Sequence, residues 1–211
     1  MDGTATADRL QEKVSGVFLI AGSLLMVAST FLEFSAGMLF GAGFIGMLAY
    51  LCFVPATLGL ARLLRQRAPR LSVFVGLLAT VGCVGAVNFQ TALLHAWAAR
   101  TAGTPEATMV AIAEVVEGRL FPVFVIFGIQ FPLALLILSV GLSWAGVVPK
   151  WAAVLLGSGA IIYPVGHIGS IQLLMHLADL LLVVPMIWLG LRFLRGATPR
   201  GVAVPAVRIS A

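Results

Sequence analysis

Residues 121–142 read FPVFVIFGIQFPLALLILSVGL, a run in which only Gln130 and Ser139 carry polar side chains. A bilayer has a hydrocarbon core of about 30 Å, which about 20 apolar residues cross as a helix. The strands of a membrane barrel would instead alternate apolar and polar residues, and this run is apolar on nearly every face. The stretch therefore predicts a membrane-spanning helix.

Six runs of the chain, this one included, reach that length. The chain of 211 residues is 61% hydrophobic and only 10% charged, so it has too little polar surface to coat a water-soluble globule. We predict an all-α polytopic membrane bundle of six transmembrane helices within residues 1–195, followed by a flexible cytoplasmic tail at 196–211. The predicted spans are residues 14–34, 43–63, 71–95, 120–143, 150–168 and 170–194.

The basic residues predict the orientation of the bundle. If the N-terminus is cytoplasmic, all of the 13 Lys and Arg residues except Arg100 and Arg119 lie on the cytoplasmic side. The positive-inside rule then places both termini in the cytoplasm. Basic clusters beside membrane spans also contact anionic head groups. The net charge of +5 therefore indicates membrane lipids, and not nucleic acid, as partners.

The longest extracytoplasmic connection is expected to contain a helix of its own. Thr104, Pro105 and Glu106 read as an N-cap, a first helical position and an acidic first turn. Apolar residues then recur at helical spacing. We predict a short interfacial helix near residues 105–117.

Polar residues inside the spans fall toward the extracytoplasmic side. Asn88, Thr91 and His95 share one face of the third span. Because unsatisfied polar groups in hydrocarbon cost several kcal/mol, such side chains should converge. We predict an outward-opening polar pocket formed by the first, third, fifth and sixth spans. Its predicted ligand-binding residues are Asn88, His95, Tyr163, His167, Gln172, His176 and Asp179.

Several functions are compatible with such a pocket. The leading hypothesis is binding of a small or lipophilic ligand, for sensing or for passage. In an alternative, an intramembrane acid/base enzyme uses His176 oriented by Asp179, with Glu33 as a second carboxylate, on a lipid or isoprenoid-like substrate. In a third, the polar groups form a hydrogen-bond network between helices, and the protein is a structural or assembly subunit of a membrane complex.

The expected cofactor content is none. Three histidines at comparable depth are compatible with a transition metal or an axially ligated haem, but the chain has no motif for covalent haem attachment. Cys52 and Cys83 are expected at similar depth, where buried cysteine usually acts as a small apolar filler. Small residues permit close packing of helices, including packing in a homodimer; they are Gly82, Gly85, Gly157 and Gly159.

One inner turn resembles a feature of a protein group. Pro149-Lys150-Trp151-Ala152-Ala153 stands before a Gly-rich span and resembles small multi-pass bacterial membrane proteins of unassigned function. The resemblance covers about one hairpin and brings no catalytic residues with it. It implies a location in the bacterial inner (plasma) membrane.

Overall fold

The computed structural model describes residues 3–34, 38–115, 118 and 121–196. Every regular element in these ranges is a helix, which confirms the all-α class. Residues 197–211 of the predicted tail, together with Glu117 and Arg119, lie outside the described residues. The helices are α1 (Gly3–Phe34), α2 (Leu39–Arg62), α3 (Pro69–Thr101), α4 (Glu106–Val115), α5 (Phe121–Gly128), α6 (Gln130–Trp144), α7 (Lys150–Ile168) and α8 (Gln172–Leu194).

Within the described residues, six helices are long and apolar enough to cross a membrane, as the sequence predicts. They are Thr6–Phe34, Leu39–Arg62, Pro69–Thr101, Ile126–Trp144, Lys150–Ile168 and Gln172–Leu194. Large apolar side chains point outward from the bundle; Leu77, Val140 and Val154 are each more than half exposed. Such apolar outer faces are consistent with an integral membrane protein.

The spanning helices form a closed ring. α1 packs against α2, α2 against α3, α3 against α6, α6 against α7, α7 against α8, and α8 returns to α1. The connections α1–α2, α2–α3, α6–α7 and α7–α8 are short, so the helices in each of these pairs run antiparallel. The centre of the ring is filled by fully buried side chains, among them Phe53, Phe131, Leu135, Leu182 and Met186.

The predicted fourth span, residues 120–143, has one irregular residue in the structure. α5 ends at Gly128 and α6 begins at Gln130, and Ile129 between them keeps helical backbone angles. Pro132 explains this break in the hydrogen bonding, because proline has no N–H to donate to the carbonyl four residues earlier and its ring crowds that carbonyl. Helical hydrogen bonding resumes with the bond from the Leu133 N–H to the Ile129 carbonyl, at 3.0 Å.

The helices differ in length, and α3 is longer than the predicted span of residues 71–95. With 33 residues it extends about 50 Å, whereas the 19 residues of α7 extend about 28 Å. Near its end α3 still contacts the start of α2, where the Trp97 and Phe40 ring centres are 4.8 Å apart. The helix predicted near residues 105–117 is present as α4, and none of its residues is buried.

Glycines allow the closest approaches between helices. A Cβ atom at Gly82 of α3 would lie 2.6 Å from the Cα of Phe131 on α6, and one at Gly16 of α1 would lie 2.7 Å from the carbonyl oxygen of Gly190 on α8. Both positions therefore require the absence of a side chain. The Gly16–Gly190 approach joins the first and last spanning helices and closes the ring.

The connections α2–α3 and α6–α7 are tied to each other. Arg67, between α2 and α3, donates a hydrogen bond to the carbonyl oxygen of Ala145 at the end of α6. At this same end of the bundle, the rings of Trp151 and Trp188 pack edge to face at 5.2 Å, and the Arg192 guanidinium lies 4.9 Å from the Trp188 ring centre. Tryptophan and arginine at helix ends are typical of membrane interfaces.

Candidate functional site

A small, partly enclosed cavity lies at the end of the bundle where α1 meets α2 and α7 meets α8; we call this end the site end. Its volume open to the centres of water-sized molecules is about 10 Å³, which is close to the room that one water molecule needs. Helices α1, α2, α3 and α7 contribute its walls. The lining residues are Met26, Ser29, Thr30, Glu33, Gly46, Ala49, Tyr50, Gln90, Tyr163 and His167.

Two tyrosines from opposite sides of the ring meet at the cavity. The hydroxyl groups of Tyr50 on α2 and Tyr163 on α7 share a hydrogen bond. Below them, toward the other end of the bundle, Phe131 packs against Tyr50 with ring centres 5.4 Å apart and against Tyr163 at 6.4 Å. Phe53 packs on Phe131 at 5.2 Å. These fully buried rings form an aromatic floor under the cavity.

His167 is held against Tyr163. Its ring stacks on the Tyr163 ring with centres 4.0 Å apart, and its Nδ1 is 2.9 Å from the Tyr163 carbonyl oxygen. A carbonyl oxygen can only accept, so the Nδ1–H donates and a neutral imidazole keeps Nε2 as an acceptor. His167 thus presents an acceptor in its neutral form and a donor when protonated.

Gln90 reaches the cavity from α3 across the backbone of α2. Gly46 makes room for it, because a Cβ atom at Gly46 would overlap with Gln90 Oε1 and lie 2.8 Å from Ser29 Oγ. Gln90 is 7% exposed, and its Oε1 has no hydrogen-bond partner among the described residues. A buried carbonyl oxygen in this state costs about 1–3 kcal/mol.

Asp179 on α8 lies directly behind the cavity wall. Its carboxyl group is next to Thr30 and within electrostatic range of the hydroxyl groups of Tyr50 and Tyr163, as is that of Glu33. Asp179 is 2% exposed, and among the described residues neither of its carboxyl oxygens has a partner at hydrogen-bond geometry. It sits about 10 Å along α8 from the first residue of that helix.

The hydroxyl groups of Ser29 and Thr30 each donate to a backbone carbonyl oxygen. Ser29 Oγ donates to the Ala42 carbonyl oxygen at 2.8 Å, and Thr30 Oγ1, which also lies beside the Asp179 carboxyl group, donates to the Met26 carbonyl oxygen at 3.3 Å. The tyrosine pair uses one of its two protons internally. The side-chain donors that the cavity retains are therefore the second tyrosine proton and the Gln90 amide N–H groups.

The structure places the sequence-predicted site residues in two groups. Glu33, Tyr163 and His167 line the cavity, and Asp179 is buried beside it. The remaining predicted residues lie elsewhere: Asn88, His95 and Gln172 are exposed, and His176 is half-buried. His176 does not hydrogen-bond to the Asp179 carboxyl oxygens. Ligand contact by any of these residues stays a prediction.

Sequence reasoning missed Tyr50, Gln90, Ser29 and Thr30, and it assigned no wall of the pocket to the second span. A signal for Gln90 exists in the sequence. Small or apolar residues recur along α3 at helical spacing, at Val75, Ala79, Cys83 and Ala86, and Gln90 continues this buried stripe. A polar residue that continues the buried stripe points into the bundle, whereas Asn88 and His95 lie outside it.

The described residues contain no group of three or more His, Cys, Asp or Glu side chains arranged to hold a metal ion. Cys52 is half-buried, Cys83 is buried, and both are free thiols.

Comparison with known proteins gives no match: no family model, no curated protein and no solved structure is similar to this chain.

Proposed function

We propose that this chain is an integral membrane protein that binds a small ligand in the cavity at the site end of the bundle. The observation that carries the proposal is an unpartnered, buried acceptor atom in the wall of one small cavity, with a buried carboxyl group directly behind that wall. Within the described part of the chain Gln90 Oε1 has no hydrogen-bond partner, and the oxygens of Asp179, although Thr30 lies beside them, have none at hydrogen-bond geometry. A ligand that supplies hydrogen-bond donors would remove the free-energy cost of burying these acceptors without partners.

The distribution of basic residues supports an extracytoplasmic site end. Arg65 and Arg67 lie between α2 and α3 and Arg70 lies in the first turn of α3, at the other end, which the positive-inside rule assigns to the cytoplasm. The pocket would then open outward in a bacterial inner membrane. The aromatic floor of Phe53 and Phe131 lies across the path to the cytoplasmic end, which favours binding and sensing over passage.

Native mass spectrometry of the protein purified in mild detergent tests the proposal. We expect a bound small molecule or ion whose occupancy falls about tenfold or more in Gln90→Leu and Tyr163→Phe, because losing a buried polar contact costs about 1–3 kcal/mol. Asn88→Leu is the matched control, because Asn88 lies on the same helix as Gln90 but is exposed. His176→Ala tests the contact predicted from sequence. Equal occupancy in Gln90→Leu, Tyr163→Phe and the wild type would contradict the proposal.

An acid/base enzyme is the second candidate. Glu33 and His167 line the same cavity, and an imidazole beside a carboxylic acid is a suitable proton-transfer pair. Incubation with a membrane lipid extract would then give a product of altered mass or isomeric form, and Glu33→Gln would abolish it. The water-sized cavity favours the binding role, since a lipid would need the helices to separate at the site end.

A further inference from the structure

Resting on the proposed function, we infer that the ligand is a small monovalent cation of about the size of a water molecule. It enters past Glu33 and is held by Glu33, Gln90 Oε1 and the tyrosine oxygens, with Asp179 supplying a second negative charge from behind the wall. Alkali ions and ammonium ions share this chemistry.

The charge of the site supports a cation. Two carboxyl groups, Glu33 and Asp179, act on the same pair of tyrosine hydroxyls. Within the described residues the cavity lining contains no Lys or Arg, and its one basic side chain is His167. Buried charges without a counter-charge are costly. A positive ligand would supply the counter-charge for the two carboxylates.

The identity of the free atoms supports a cation more than a neutral molecule. All three unpartnered buried atoms are acceptors, and the nearby Ser29 and Thr30 hydroxyls donate to carbonyl oxygens. A ligand with acceptors of its own would find neither of these two hydroxyl groups free to donate. Carboxylate, amide and hydroxyl oxygens are the ligands that hard cations prefer.

Protonation of a carboxyl group is the competing explanation, and the geometry disfavours it. The titratable groups that face the site are Glu33 on α1, Tyr50 on α2, Cys83 on α3, Tyr163 and His167 on α7, and Asp179 on α8. A proton on Glu33 supplies a single donor inside the cavity, and that donor can reach only one of the Gln90 and tyrosine oxygens that line it. A cation coordinates several oxygens at once.

The size of the cavity sets the limit on the ligand. About 10 Å³ is open to the centres of water-sized molecules, which is room for about one such particle. Ammonium and potassium ions are of this size, whereas N-methylglucamine is far larger. The large cation is therefore a suitable ionic-strength control.

Thermal unfolding of the full-length protein in lipid nanodiscs tests the inference. Chloride salts of sodium, potassium, ammonium and methylammonium are compared with N-methylglucamine chloride at equal ionic strength. We expect at least one small cation to raise the Tm by about 5 °C or more at saturation. Comparison of the alkali-metal salts with the ammonium salts shows which kind of cation binds. Isothermal titration with the salt that raises the Tm gives the Kd.

The variants Asp179→Asn and Glu33→Gln separate binding from folding. We expect each to raise the Tm measured without small cations, because a buried uncompensated charge is removed, and to lose at least about nine-tenths of the cation-induced shift. Glu106→Gln, which removes an equal charge from exposed α4, should keep the full shift.

Three results would overturn the inference. A bound neutral molecule without any cation response leaves the proposed function standing and overturns the cation. A Tm that follows pH but not the small cations assigns the site to a proton alone. A cation response that Asp179→Asn and Glu33→Gln retain in full places the ion outside this cavity.

Discussion

Gly46 on α2 lies directly against the end of the Gln90 side chain at the cavity. Its neighbour atoms, Gln90 Oε1 and Ser29 Oγ, leave no space for a methyl group. The site therefore depends on the absence of a side chain as much as on the polar residues around it.

We expect Gly46→Ala to displace Gln90 and to destabilise the protein by about 1–3 kcal/mol, the usual cost of overpacking a close-packed interior. Ligand occupancy should fall with it. Gly41→Ala on the same helix is the control, because its Cβ atom would meet only the end of the Leu32 side chain, at 3.3 Å. Thermal unfolding in nanodiscs measures both, and equal Tm values would contradict the steric argument.

Some of the individual residues of the site could be predicted from the sequence. The predicted residues Glu33, Tyr163, His167 and Asp179 are polar and fall near the same ends of their spans. The first three line one cavity, and Asp179 is buried behind its wall. The same reasoning predicts Asn88 and His95, which are exposed. Depth follows from span boundaries, but the direction in which a side chain points depends on which face of the helix is packed.

At the scale of the helices, α3 and α6 are held together by a backbone contact. A Cβ atom at Gly82 would overlap with the backbone nitrogen of Phe131 and lie 2.6 Å from its Cα. Backbone atoms cannot rotate away as a side chain does, so the two helices would have to separate. Phe131 would then shift from under the tyrosine pair.

We expect Gly82→Ala to cost about 3 kcal/mol or more and to open the aromatic floor below the cavity. Gly128→Ala, at the end of α5, is the matched control, because among the described residues a Cβ atom there would meet nothing within 4 Å apart from its own stretch of the chain. Size-exclusion chromatography after heating measures the loss of folded protein. If both variants survive equally, α3 and α6 are not held at this distance.

The six spans were predictable because each is a long apolar run, whose length alone distinguishes a spanning helix from a loop. The break between α5 and α6 was not recognised, although Pro132 was visible in the sequence. Proline in a membrane helix can be tolerated with its neighbours' help, so its presence alone does not locate an interruption. The excess length of α3 was also missed, since Thr91–Thr101 is less apolar than the rest of that helix.

For the whole molecule, the orientation in the membrane is open to a direct measurement. In a variant whose two native cysteines are replaced by alanine, we expect Ala102→Cys to react with a membrane-impermeant maleimide in intact bacterial spheroplasts. Gln66→Cys should react only after lysis. Both positions are exposed, and the positive-inside rule places them on opposite sides. Labelling of Gln66→Cys before lysis would invert the orientation and place the cavity on the cytoplasmic side.

The packing of α8 against α1 also determines when the molecule becomes complete during synthesis. Because α1 is synthesised before α8, one flank of α1 stays uncovered until α8 has been made, and Asp179 arrives with α8. A nascent chain that ends before α8 therefore presents the Gly16 surface without its neighbour and carries Glu33 without Asp179. Translation must pass Asp179 before both carboxyl groups are present, so termination between Glu33 and Asp179 yields a product with only the first of them.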